Sequence, residues 1–322
     1  MNVKRLLVVI GLVLVGVGLS AQNAAFAQET RVDSGKAQII ALVETVYNDG
    51  QIDALADFYA ADYIENQSSL LMMGGTTEAL AATIGMIKAG FSDARWSVVQ
   101  IGAQDDLVAA RIVLTGTHDG AFLDVPASGV TVVENSIHFY RFAEGVISEH
   151  WAVEDTFNLL NQMGAMGAPQ GREFTETALT TAPASENVTD IAALRVVEGL
   201  FDNALNLQDS SVIPEYVAAD ALWYTNQTPA PGVEGFAQFY DNIFGSFPDV
   251  NREVLLTVTD GSLVFVLSQI TGTHLGDLLG IPASGNTIDY TSADIFHIVD
   301  ERITEQWDVA DYLTLFSQIG AM

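Results

Sequence analysis

The sequence predicts an α+β protein built twice from one domain: the second half repeats the first, helical periodicity opens each half, and β-rich stretches close it. Gly116-Thr117-His118 returns as Gly272-Thr273-His274, Pro126-Ala127-Ser128-Gly129 as Pro282-Ala283-Ser284-Gly285, and Gly164-Ala165-Met166 as Gly320-Ala321-Met322, all at a spacing of 156. Towards the start of each copy the spacing grows to 158 (Ala60-Ala61-Asp62 against Ala218-Ala219-Asp220) and 160 (Asn66-Gln67 against Asn226-Gln227), so the second copy has gained loop residues. A chain of 322 residues also exceeds one ordinary core, which predicts two domains independently.

Residues 1–27 read as a secretory signal peptide: Lys4 and Arg5, an apolar run from Leu6 to Leu19, then Ala25-Phe26-Ala27 with cleavage expected after Ala27. The run is shorter than the roughly 20 residues a spanning helix needs, so the expected location is secreted, periplasmic or extracellular. The first domain is expected over 34–167. Ala37 to Tyr47 places Ile39, Leu42, Val43 and Val46 at helical spacing, and Ile191 to Leu205 matches it. A short helix over Ile52 to Tyr59 and a longer one over Thr77 to Lys88 follow, the latter matched by Val233 to Phe244. Beyond Phe91-Ser92-Asp93, four stretches rich in β-branched and aromatic residues read as a four-stranded antiparallel meander: Trp96 to Ile101, Leu107 to Thr117, Val130 to Phe142 and Val146 to Val153. Asp155 reads as the N-cap of a short helix closed by Gly164, and Asp311 to Gly320 repeats it. Residues 168–189, rich in Thr, Ala, Pro and Glu, read as a linker, and 190–322 as the second domain. Helices folded onto one face of a curved sheet predict a cone with an apolar pocket.

Composition narrows the function. The chain carries 41 acidic against 12 basic residues, a net charge of −29 that loss of Lys4 and Arg5 makes more negative. Nucleic acid and anionic membrane are therefore poor partners. There is no cysteine, hence no disulfide and no lipidated Cys anchor. The five His have no HxxxH or HxH spacing, and no GxSxG, P-loop or Rossmann glycine pattern occurs, so no metal and no cofactor are expected.

Taken in order, Phe247-Pro248-Asp249, Gly272-Thr273-His274, Gly280-Ile281-Pro282-Ala283-Ser284-Gly285 and Ile303-Thr304-Glu305-Gln306-Trp307-Asp308-Val309-Ala310-Asp311 closely resemble the SnoaL-like polyketide cyclase (ester cyclase) pattern of the NTF2-like superfamily. The first copy carries the same series, ending in Ile147-Ser148-Glu149-His150-Trp151-Ala152-Val153-Glu154-Asp155. The resemblance implies two tandem NTF2-like cone-shaped domains, each with N-terminal helices packed on a curved antiparallel sheet, paired as an intramolecular pseudo-dimer. It also implies a small hydrophobic carbonyl substrate and an Asp acid/base at Asp308, where copy one has Ala152. The family's His in the preceding strand matches His138, replaced by Asp294 in copy two; its pocket-facing Asn matches Asn66 and Asn226.

The catalytic candidates are thus Asp308, Asp294 and His138, and the substrate-binding candidates Asn66, Asn226, His118, His274, Trp151 and Trp307. A carboxylate in a dry pocket has its pKa raised and can take and return a proton near neutral pH, which an aldol closure needs. Asp294 either shares that pocket, coupling the two titrations, or lies on the solvent face. His118 and His274 either line the pocket mouth or bond the following turn. Trp151 and Trp307 serve as core anchors or pocket walls. His150, replaced by Gln306, reads as a surface or rim residue. Three functions remain: a cofactor-independent cyclase or isomerase, a non-catalytic binder of small apolar ligands, and an epoxide-hydrolase-like enzyme, for which an arginine near Asp308 is not evident in the sequence.

Overall fold

The computed structural model describes residues 32–67, 73–172, 190–224 and 232–322; the expected signal peptide, Asn226 and linker residues 173–189 lie outside the described residues. In the first domain, α1 (32–42) runs into a π-helical turn at Val43–Asn48. Its apolar positions recur at helical spacing, so Ile39, Leu42, Val43, Val46 and Tyr47 form one buried stripe. A 3-10 turn (Ile52–Ala54) and α2 (Leu55–Phe58) lead into β1 (Tyr59–Glu65). Next come α3 (Thr77–Gly90), β2 (Arg95–Gln104), β3 (Leu107–Thr117), β4 (Thr131–Ala143), β5 (Val146–Glu154) and α4 (Thr156–Met163). Asp155 caps α4 by accepting the Asn158 N–H, and Gly164 ends it in the left-handed region at φ 99°.

The second domain repeats this order. α5 (Asp190–Gly199) runs into a π-helical turn (Leu200–Leu205), and a 3-10 segment (Ser210–Glu215) leads to β6 (Val217–Tyr224). α6 (Gly232–Ser246), β7 (Asn251–Asp260), β8 (Leu263–Thr273), β9 (Thr287–Val299), β10 (Arg302–Ala310) and α7 (Tyr312–Gln318) complete it.

Each domain contains a five-stranded sheet, β1-β5-β4-β3-β2 and β6-β10-β9-β8-β7. The four-stranded antiparallel expectation is corrected by one strand per sheet: β1 and β6 add in parallel to β5 and β10. These edge strands contain Ala-Ala-Asp and lack a clean alternation, because only one of their sides is paired and much of each is solvated.

Alternation divides each sheet into two apolar faces. One receives the helices, forming a core around Ile39, Leu42, Trp96 and Ile112 in the first domain and around Leu200, Phe201, Trp223 and Val264 in the second. The other faces pack against each other: Ala109, Ile137, Phe139 and Val153 join Val258, Phe265, Ile295 and Val309 in one buried cluster. Polar contacts fasten its edge, where Ala103 N–H donates to Asp260 (3.1 Å), Thr259 N–H to Gln104 (2.9 Å), and Lys36 pairs with Asp260. The two domains are therefore paired within one chain, sheet against sheet.

Gly102 lies at the closest approach, where a Cβ would stand 2.5 Å from the buried Phe265 ring. Gly102→Ala is expected to lower the unfolding free energy by about 1–3 kcal/mol in chemical denaturation. An unchanged midpoint would mean that the sheets do not pack this closely.

Candidate active site

The second domain's cavity opens between the helices and the inner sheet face. Its position follows from a hairpin. β9 and β10 are joined by Asp300 and Glu301, both with positive φ (49° and 58°), which sets Val299 opposite Arg302. A bulge between Ile303 and Glu305 then adds one residue to β10, so that Asp308 rather than Trp307 stands opposite Asp294. Both carboxyls consequently line the same cavity, which is walled mainly by apolar and aromatic side chains, among them Phe239, Tyr240, Ile270 and Tyr312.

The two acids are held differently. Asp294 is 1% exposed, accepting from Arg252 Nη1 (2.7 Å) on one oxygen and from Gln306 Nε2 (2.8 Å) on the other. Arg252 also reaches Ser292 Oγ (3.3 Å) and lies 4.8 Å over the Phe201 ring. Its backbone is gripped at both N–H and C=O by the Asn206 amide (2.9 and 3.1 Å). Asp308 accepts one bond, from the Trp223 indole N–H at 2.7 Å on Oδ1; among the described residues no group bonds Oδ2. Burial, reinforced by the neighbouring Asp294 charge, pushes Asp308 up to about 8, against the lowering pull of the Trp223 bond. One carboxyl of the pair is thus held by a cation while the other is left able to exchange a proton.

The first domain builds a different set on the same frame. His138 stands opposite Ala152, with Ser136 two residues earlier on its face of β4. His150, expected at the surface or rim, is 1% exposed and sits between Glu65 (2.9 Å) and His138 (3.0 Å), which corrects that reading. Parallel pairing of β1 with β5 brings Glu65 beside it, and β1 was absent from the sequence expectation. A carboxyl occurs here too, displaced by one alternation: copy one has Ala152 and Glu154 where copy two has Asp308 and Ala310. Glu154 and Glu134 line this cavity, and burial raises both above the ordinary carboxylate range.

The other candidates take other positions. Asn66 is exposed, its amide bonding the His150 carbonyl (3.3 Å), whereas Gln67 lines the cavity. His118 and His274 are buried away from both cavities. Each fastens the Pro-Ala-Ser-Gly loop through its Nδ1, to Ser128 (2.9 Å) and to Ser284 (3.1 Å), so of the two sequence readings the geometry favours the turn. Trp151 and Trp307 project into the inter-domain cluster, which makes them packing residues rather than cavity walls. The arginine missing from the sequence reading is Arg252, and Asn206 and Trp223 were also overlooked. Asn48 stands 158 residues before Asn206 and grips Trp96 in the same two-bond manner, a repeat signal that was available.

The profile of SnoaL-like polyketide cyclases matches residues 37–163 and again 195–319. The chain belongs to the SnoaL-like polyketide cyclase family. Two copies of the family's domain therefore account for most of its length. Similar curated proteins are the aklanonic acid methyl ester cyclase AcmA of Streptomyces galilaeus, 30% identical over 119 residues (37% of this chain, 83% of the relative), and the nogalonic acid methyl ester cyclase of Streptomyces nogalater, 26% identical over 121 residues (37% and 90%). Among solved structures, a SnoaL-like polyketide cyclase from Agrobacterium tumefaciens is 19% identical, with a TM-score of 0.35, covering 40% of this chain and 98% of its own. Each of these relatives aligns with a stretch about the size of one SnoaL-like domain.

Proposed function

We propose that the second domain is a cofactor-independent cyclase or isomerase of a hydrophobic, polyketide-like carbonyl compound, with Asp308 as its acid/base. The observation that carries this reading is Asp308 itself, a carboxyl in an apolar cavity, oriented on one oxygen by Trp223 and raised to about 8. As a carboxylate, Asp308 takes a proton from carbon next to a carbonyl, the enolate carbon attacks a second carbonyl, and the acid returns the proton to the alkoxide. Arg252, opposite in sign to the enolate and fixed by Asp294, contributes an electrostatic wall. We further propose that the protein is exported, on the strength of the leader-like residues 1–27.

Mass spectrometry of aryl polyketide methyl esters incubated with the full chain tests this. The expected product has constant mass, or has lost one water, and forms with the wild type but not with Asp308→Asn. Ligand that binds equally to both proteins and is recovered unchanged would instead make the cavity a binding module. A second catalytic reading draws on Arg252, since two Asp and an Arg in one cavity also suit water attack on an epoxide. Arg252 is committed to Asp294 and Ser292, which ranks this reading second, and a product heavier by one water would promote it.

A further inference from the structure

We propose that the first domain holds a second, independent active site, an acyl-transfer centre in which Ser136 is the nucleophile, His138 its base, and His150 with Glu65 the charge-bearing end of a relay, acting on small esters with an apolar acyl group. The proposal does not rest on the Asp308 reading. Four side chains from three strands form one hydrogen-bonded line: Ser136 Oγ to His138 Nε2 (2.9 Å), His138 Nδ1 to His150 Nε2 (3.0 Å), and His150 Nδ1 to Glu65 (2.9 Å). All four are buried, with exposures of 8, 6, 1 and 4%. A nucleophile within hydrogen-bond reach of a base that is itself oriented by a third group is the arrangement activated hydroxyls require.

The proton positions follow from the end of the line. Glu65 accepts the Gln67 backbone N–H (2.9 Å) and faces His150 Nδ1 (2.9 Å); in the proposed relay His150 carries its proton on Nδ1 and presents Nε2 to His138. His138 then carries its proton on Nδ1 and turns the Nε2 lone pair to Ser136. Burial holds His138 well below the usual imidazole range, which keeps its ring neutral at neutral pH. In the absence of substrate the Ser136 hydroxyl has the Ile112 carbonyl (3.0 Å) as its other acceptor.

Groups on the neighbouring strands complete the site. Glu154 stands directly opposite Ser136, and Glu134 lies two residues before it on the same face. Since burial favours their protonated forms, each offers an O–H donor beside the carbon under attack, in the manner of a carboxylic acid kept neutral in an apolar site. The tyrosines packed here, Tyr47, Tyr59, Tyr63 and Tyr140, are pushed up and stay neutral. Leu80, Ile84, Ile87, Trp96 and Leu114 line the cavity and suit a short apolar acyl chain.

In the first step Ser136 Oγ bonds to the ester carbonyl carbon while its proton passes to His138 Nε2, the charge being shared through His150 with Glu65. The tetrahedral adduct expels the alcohol, which leaves with that proton. Water then releases the acid by the same route, restoring Ser136 and His138. Copy two lacks the relay. It keeps Ser292, but has Asp294 in place of His138, Gln306 in place of His150, and Trp223 rather than Glu65 at the matching edge position.

The test is reaction of the full chain with a fluorophosphonate probe, followed by peptide mass mapping, together with a p-nitrophenyl butyrate burst. The expected result is one phosphonyl group on Ser136, none in Ser136→Ala, and labelling slowed on the order of 100-fold or more in Glu65→Gln. Asp308→Asn should label like the wild type, which separates failure here from failure of the cyclase reading. An unmodified Ser136 in the folded wild type, or equal burst kinetics in wild type, Ser136→Ala and Glu65→Gln, would overturn the proposal and leave the line as a buried structural network.

Discussion

Asp308→Asn is expected to remove turnover in the second domain and at the same time to make the protein more heat-resistant in alkaline solution. The activity loss follows from replacing, among the described residues, the carboxyl of the cavity that no cation holds, and general acid/base groups contribute on the order of 10²–10⁴-fold. The stability gain follows from linkage. Burial and the Asp294 charge raise Asp308 to about 8, above the roughly 3.9 of an unfolded Asp. Folding therefore favours the protonated form, and this contribution is fully present below about pH 4 and is lost as pH rises through about 8. Above that pH the wild type buries a second negative charge beside Asp294, whereas Asn stays neutral. Thermal unfolding should show little difference between the two proteins at pH 4 and a higher Tm for Asp308→Asn at pH 9. A lower Tm for the variant at pH 9 would contradict the assigned environment.

Arg252→Met is expected to cost about 3–5 kcal/mol at pH 7, the range for removing one partner of a buried ion pair. Arg252 supplies the 2.7 Å bond to Asp294, and without it that carboxylate, 1% exposed, keeps only Gln306. Methionine preserves much of the apolar stem over Phe201, so the loss reports the charge rather than a cavity. The double variant Arg252→Met/Asp294→Asn should recover most of it, because no unpaired charge remains; additive losses in urea denaturation would contradict the pairing. The Arg252 charge also restrains the Asp308 shift, so the acidic limb of the rate profile, where the carboxylate form is lost, should move upward in Arg252→Met.

Much of this was legible in the residues. The repeat, the amphipathic first helix, the β2–β5 meander and the Asp155 and Asp311 caps all rest on local patterns, and those patterns agree with the structure. What was not legible depends on long-range register. The bulge beside Ile303 decides which residue of β10 meets Asp294, and nothing in Thr304 or Glu305 announces it. Arg252 opens β7 as Trp96 sits near the start of β2, so the repeat offered no reason to expect an arginine. His150 looked peripheral because Gln306 replaces it. Its burial becomes intelligible only once β1, a strand of mixed polarity, brings Glu65 alongside, and a buried polar group goes with its partner rather than with its own hydrophobicity. The two cavities thus share a frame, with Ser136 matched by Ser292 and Asn48 by Asn206, while His138, His150 and Ala152 give way to Asp294, Gln306 and Asp308.

The account depends most on Asp308 being a carboxyl that exchanges its proton near neutrality. Carboxyl ¹³C NMR of aspartate-labelled protein, with the Asp308 resonance assigned by its disappearance in Asp308→Asn, measures this without a substrate. The account predicts a signal titrating at about 8. A resonance that titrates near the ordinary aspartate value of about 4 would contradict it.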